Sequence, residues 1–525
     1  MEISRRRFVT LSGLGLVGIS LTSLPQLIKR SYGSTNNQFI QPLNLKNESN
    51  QPGLAEFSLK ARYSKVKLPG KEGIEAELMT YNGSFPGPTL RVKEGDRIRI
   101  HLRNDLNQPT NLHLHGLHVS PEGQGDNPLR VIKSGENALY EFSIPKNSAG
   151  TYWYHPHYHG NSNAQLFAGL AGTIIVDGSL NTIPELRNVP DYLVILKDLE
   201  VDTTGKIPAL TRQDWMNGRE GSLVLINGVT KPILQTDAKL VRLRLSNQSS
   251  GRYYNLKLAG HSMTVIATDG GFVNTPYSVD SLLLTPGEWY EVLVNFKQTG
   301  DIALINMPYA RGRTGIDQSM NMSDTGDDST MSGSELPPAH QMGDMPSSDG
   351  VSSMNNMPGM SNVRTQPTGE GSIMTLRFTG SPQIVSLPRR VNSIQALNPK
   401  DIVQKRAIKF TEVMEMLSFS FNDKEFDRNR VDIRSKLDTV ELWELLNDSD
   451  MDHPFHLHTN AFQVYARNGK LEPQPTWKDV VNVKSKETVQ ILIPFADFTG
   501  KTVFHCHVLE HEERGMMGVV EITTA

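Results

Sequence analysis

Polar and apolar positions alternate with period two in Arg97-Ile98-Arg99-Ile100-His101-Leu102-Arg103-Asn104, the pattern of a strand with one wet face. It returns as Val241-Arg242-Leu243-Arg244-Leu245-Ser246-Asn247 and, more loosely, as Val440-Glu441-Leu442-Trp443-Glu444-Leu445-Leu446-Asn447. Each copy is followed by a glycine that opens another strand, Gly150, Gly300 and Gly500, at offsets of 46, 53 and 53 from the terminal Asn. Self-similarity over a domain-sized period predicts an all-β chain of three related β-sandwich domains. Expected bounds are 55–180, 181–385 and 386–525. The spacing between successive Asn markers is 143 and then 200, so the second interval carries 57 extra residues. Residues from about 311 to 371 account for them. They are rich in Ser, Gly, Asp and Met, lack alternation, and read as a loop hung on the middle domain.

A length of 525 residues suits three domains with full cores, and 53 basic against 56 acidic residues leave a net charge of −3. Nucleic acid and anionic membranes are thereby excluded as electrostatic partners. The single cysteine, Cys506, forbids an intrachain disulfide and a four-thiolate cluster. At the start, Arg5-Arg6-Arg7 precedes an uncharged, moderately apolar run to Ile28 that is broken by glycines and Pro25. Residues 1–30 therefore resemble a twin-arginine export signal, with a membrane anchor as the alternative. The expected location is the periplasm or another extracytoplasmic space, with the export machinery as a partner. Residues 31–54 are polar and read as a flexible lead-in.

Ten of fifteen histidines fall into four clusters: His113-x-His115, His155-x-His157, His453-x-x-His456-x-His458 and His505-Cys506-His507-x-x-x-His511. Repeated HxH pairs expose two imidazoles on one strand face, which metal binding explains better than structural hydrogen bonding. Five residues beyond the marker glycines stand His155, Ile305 and His505, so the middle copy is blank. A metal site shared by the first and last domains follows, with the middle one as a spacer. His261 has no HxH partner and reads as structural; His101 alternates outward, and His118 and His159 match no ligand position. Within the last cluster, strand geometry sends His505 and His507 to one side and Cys506 to the other. One Cys, two His and a distant Met form the blue-copper ligand set, supplied here by Cys506, His453, His511 and Met516. Zinc is the alternative, but eight further His exceed the needs of one ion.

The four histidine motifs, with Met516 and the upstream stretch Asn82-Gly83-Ser84-Phe85-Pro86-Gly87-Pro88-Thr89, resemble those of the multicopper oxidases, in particular bacterial periplasmic cuprous oxidases and laccase-like enzymes. The resemblance spans nearly the whole mature chain. It implies three cupredoxin-like Greek-key domains and four copper ions. Cys506, His453, His511 and Met516 would hold the type 1 copper. His113 and His456 would hold the type 2 copper, and His115, His155, His157, His458, His505 and His507 the type 3 pair. Relatives that have lost oxidase activity lack some of these residues; none is missing here. The implied reaction uses four single electrons from a reductant near the His453 edge to reduce O2 to two waters. Asp126 and Glu512 resemble the family's acidic residues near the cluster and are candidates for proton delivery. The alternatives are a solvated loop carboxylate or, for Glu512, a hydrogen-bond partner of a ligand.

Eight of nineteen methionines lie between Met320 and Met360, among them Met342, Met345, Met354, Met357 and Met360. Their neighbours are polar, and 314–363 holds seven acids and no Lys or Arg. Thioethers prefer Cu(I), so cuprous ion is the expected reductant, in the service of copper tolerance. A linker whose methionines scavenge oxidants is the alternative. Asp450 and Asp452 flank the approach to His453 and are candidates for relaying Cu(I) or binding an amine or phenol; otherwise they are surface charges. The other expectations for function are a laccase-like oxidase of phenols, aromatic amines or Mn(II), and a copper-sequestering protein. The chain is expected to act as a monomer.

Overall fold

In the computed structural model, residues 37–68, 74–312 and 371–524 are described. The export-like segment and the Met-rich stretch, including Met342, Met345, Met354, Met357 and Met360, lie outside the described residues. Strands dominate and pair into six sheets, two for each of three sandwiches. The first sandwich joins two four-stranded sheets, the second a six- and a five-stranded sheet, the third a seven- and a five-stranded sheet. Each encloses its own apolar core, around Phe57 and Tyr140, Leu243 and Phe378, and Trp443 and Phe455. No helix among the described residues is long and apolar enough to cross a membrane.

The repeat markers occupy equivalent places. Strands Arg97–Asn104, Leu240–Asn247 and Thr439–Asn447 each end on a buried Asn that organises the following turn. Asn104 Oδ1 accepts from Leu106 N (3.0 Å), Asn247 Oδ1 from Ser249 N (3.0 Å) and Asn447 Oδ1 from Ser449 N (3.0 Å). Their amides donate to two or three carbonyls each, so a satisfied side chain replaces backbone pairing at each bend. Strands Gly150–His155, Gly300–Met307 and Gly500–Cys506 lie in the opposite sheets.

Two expectations are corrected. The second copy has no wet face: Leu240–Asn247 is buried throughout. The first domain covers it, and Arg244, wholly buried, is paired with Asp191 and Glu291 and donates to Thr151 of that domain. A charge pattern that suits solvent equally suits a desolvated, paired interface. Likewise, the described part of the lead-in is stitched down: Phe39 N donates to Ile233 O (3.0 Å) in the middle domain and Leu45 N to Thr89 O (2.8 Å) in the first.

Candidate metal centres

The first and third domains face each other across the strand His113–His115 and its neighbour Gly150–His155 on one side, and His453–Leu457 with Gly500–Cys506 on the other. Antiparallel pairing sets His113 opposite His155 and His456 opposite His505, so each domain contributes a patch of adjacent imidazoles. The two patches interdigitate. His113 stacks on His458 at 3.7 Å between ring centroids and His115 on His456 at 3.9 Å. His113 Nε2 lies 3.3 Å from His456 Nε2, and His505 Nε2 lies 3.1 Å from both His157 Nε2 and His458 Nε2.

All eight rings are buried. Their pKa values are held below the usual imidazole value by burial and, except at His505, by the other imidazoles; His505 falls to about 4 and His507 to about 3. Neutral imidazole is the metal-ligating form. Both ring nitrogens of His115 and His507, with His155 Nε2 and His458 Nδ1, have no hydrogen-bond partner. So many orphaned lone pairs in a dry interior would be costly without cations to receive them, and this donor set fits copper.

Carboxylates stand behind the rings. Asp126 Oδ2 accepts from His113 Nδ1 (2.9 Å) and Oδ1 from Leu114 N (2.9 Å), which leaves His113 Nε2 pointing at the cluster. Burial raises Asp126 to about pKa 7. Glu512 Oε1 accepts from Ser162 Oγ (2.9 Å) and Oε2 lies 3.2 Å from His505 Nδ1; burial first, then Glu513, raises its pKa. Asp479 was missed by the sequence reading. Its Oδ2 lies 3.3 Å from His115 Nδ1, and its carbonyl accepts from His456 Nδ1 (2.8 Å). No spacing rule ties the run Trp477-Lys478-Asp479 to His456 or to His115 in the first domain.

On the other face of Gly500–Cys506, the Cys506 sulfur lies 3.4 Å from His453 Nδ1 and 3.9 Å from His511 Nδ1. Met516 is buried in the same apolar cluster, its backbone paired with Cys506 N and His511 O. Without a metal, burial pushes the thiol's pKa up. The His453 edge expected to meet a reductant is closed: Nε2 faces Glu412 Oε1 (2.6 Å) and Ser449 Oγ (3.0 Å), both unforeseen. His511 Nε2 donates to Met216 O (3.1 Å) of the middle domain. Asp450 is exposed and paired with Lys486 (3.2 Å). Asp452 is buried instead of flanking an open approach; Tyr309 Oη (2.6 Å), Asn482 Nδ2 (2.9 Å) and Ser485 N (3.0 Å) occupy its oxygens. Its carboxylate is therefore not a surface charge but part of a buried hydrogen-bond network.

Sequence models of the multicopper oxidases match residues 60–181, 191–322 and 397–525. A multicopper oxidase of Staphylococcus haemolyticus is 28% identical over 495 residues, 93% of each chain. A cell division protein FtsP of Dickeya dadantii is 27% identical over 98% of each. Among solved structures, a Campylobacter jejuni multicopper oxidase described as a metallo-oxidase superposes with a TM-score of 0.77 at 30% identity, covering 93% of this chain and 95% of that one. A laccase-like multicopper oxidase of Ochrobactrum, described as active towards lignin model compounds, gives 0.73 at 26%, covering 92% and 100%. Two converging sets of imidazoles, a lone cysteine on the opposite strand face and this breadth of likeness together make the chain a member of the multicopper oxidase family, built from three cupredoxin-like domains.

Proposed function

We propose that the protein is an oxidase that draws single electrons from a reductant and delivers four of them to O2, with cuprous ion as the main reductant. The observation that carries this reading is the two-faced strand: Cys506 turns towards His453 and His511 while His505, one residue away, meets His458 of its own domain and His157 across the domain boundary. In this reading Cys506, His453, His511 and Met516 hold a type 1 copper, His113 and His456 a type 2 copper, and the remaining six imidazoles a type 3 pair. Copper so bound supplies one-electron acceptance on the Cys506 side and reduction of O2 to two waters on the imidazole side. Four Cu(I) and four protons are consumed for each O2, giving four Cu(II) and two waters. The chain's own part is to keep the imidazoles neutral by burial, to orient His113 through Asp126, and to hold protons at the Asp126 and Glu512 carboxyls. The twin-arginine pattern supports export and action outside the cytoplasm.

Support for cuprous ion comes from the described residues that lead into the Met-rich stretch. Gly312 pairs with Met451, and Arg311 O accepts from Asp452 N (2.7 Å), so the stem is paired with the two residues that precede His453 in the chain. A second reading, oxidation of phenols, aromatic amines or Mn(II), is supported by the described activity of the Ochrobactrum relative. Oxygen uptake by copper-loaded protein tests the oxidase reading. No uptake with Cu(I), phenols or Mn(II) would leave copper sequestration, or a non-oxidase role such as the name FtsP denotes. Deleting 314–363 separates the substrates: lost Cu(I) oxidation with phenol oxidation retained supports the cuprous reading, and unchanged Cu(I) kinetics would remove it.

A further inference from the structure

The middle domain carries no histidine pair, yet one of its turns reaches the imidazole cluster. Strands Met263–Thr268 and Gly271–Val279 are joined at Asp269 and Gly270, and this turn docks on residues 477–480 of the third domain. Thr268 Oγ1 donates to Trp477 O (2.9 Å). Asp269 Oδ2 accepts from both Asp479 N and Val480 N (2.8 Å each), while Oδ1 receives Lys478 Nζ (2.5 Å). Lys478 Nζ also reaches Glu288 Oε1 (3.0 Å), so a buried cation of the third domain sits between two carboxylates of the second. A Cβ at Gly270 would run into the Trp477 backbone, so the approach is as close as a main chain allows.

The residue held this way is Asp479, and it touches ligands of both other domains: His115 of the first through its carboxylate and His456 of the third through its carbonyl. Three domains therefore meet at one residue. Both carboxylate oxygens of Asp479 lack a hydrogen bond. The carboxylate stays at His115 because the backbone on either side is pinned from the middle domain.

We propose that Asp269 is a positioning residue for the imidazole metal cluster: through the backbone of Asp479 it sets the orientation of His115 and His456, so that the middle domain helps to build a metal site to which it contributes no ligand. Geometry alone supports this. A charged acceptor bonded to two consecutive buried N–H groups makes hydrogen bonds about twice as strong as neutral ones and fixes the direction of the chain segment that donates them. Ligand orientation by outer partners is worth about 10–100-fold in metal affinity.

The inference rests on the oxidase reading, and the experiment separates their failures. Full-length, copper-loaded wild type, D269A and D269N are compared by the visible absorption of the Cys506 centre, by the electron paramagnetic resonance of its copper and of the cluster copper, and by copper lost to a competing chelator. Wild type without visible absorption, or without cluster copper, would defeat the oxidase reading itself. Given a wild type that holds both, D269A is expected to keep the visible absorption and to lose cluster copper about tenfold more readily. D269N, which keeps one acceptor for the N–H pair, falls between. Retention of cluster copper equal to wild type overturns the proposal. So does loss of both centres together in D269N, since that marks general support of the fold. If D269A does not accumulate as folded protein, D269N decides by the same criteria.

Discussion

The two metal centres are neighbours on one strand but are built differently. The Cys506 group draws His453, Cys506, His511 and Met516 from the third domain alone, from two paired strands and the short helix Leu509–Glu513 that follows them, with Met516 just beyond. The imidazole cluster takes four rings from the first domain and four from the third, and contacts such as His157 to His505 and His113 to His456 cross the boundary. A site inside one sandwich inherits its precision from strand pairing. A site between sandwiches depends on how rigid bodies are held together, and the third partner, the middle domain, lies against both.

The strongest way to break this comparison is Cys506→Ser. It should abolish the intense visible absorption and reduce oxidase turnover to background, while the imidazole cluster keeps its copper, as metal analysis would show. Loss of copper from both centres would mean that they are not separately built. Gly287→Ala is aimed at the cluster alone. A Cβ there would stand 2.7 Å from the His507 ring, on a backbone with φ +88. The cost is about 1–3 kcal/mol, read as a lower melting temperature together with cluster copper lost before the blue colour fades. Fading of the blue colour first would reverse the assignment.

Asp126→Asn leaves the shape intact but replaces the carboxyl behind His113 with an amide that can neither carry a charge nor give up a proton. Cluster copper affinity is expected to fall about 10–100-fold, with the visible spectrum unchanged, in chelator competition. The smallest effect on either centre is expected from Lys197 of the middle domain, whose ammonium is buried without a hydrogen-bond partner and whose pKa burial lowers to about 8 from 10.5. Between those two values the unfolded chain binds the proton that the native chain has released. Stability therefore rises with pH across that window, and below about pH 8 the buried charge is a cost. Lys197→Met should raise stability at pH 7 by about 1–3 kcal/mol in chemical denaturation and flatten the alkaline rise, with both copper signals unchanged. A less stable variant at pH 7 would show that the ammonium is a net asset.

Much of this was legible in the chain. Asn104, Asn247 and Asn447 marked equivalent bends because a turn closed by an Asn side chain is a local device and repeats wherever the sandwich repeats. The opposite facing of Cys506 and its flanking histidines needed only the period of a strand. Arg242 and Arg244 misled for the converse reason: alternation reports which side is polar, not whether solvent or a neighbouring domain covers it. Asp452 read as an open carboxylate, and only the packing of Tyr309 and Asn482 against it gave it an interior role. Glu412 and Asp479 went unseen because each reaches its histidine from a strand or loop distant in sequence.

By itself the sequence determined the number of sandwiches, the histidine clusters and the division between a thiolate face and an imidazole face, since these depend on periodicity and on residue chemistry within a few positions. Tertiary structure decided which rings meet, which carboxylates stand behind them and that the histidine-poor domain grips the cluster through Asp269. The physical reason is that contacts across domain boundaries come from the docking of finished sheets, where a single residue such as Asp479 can serve three bodies at once and leave no local pattern in the chain.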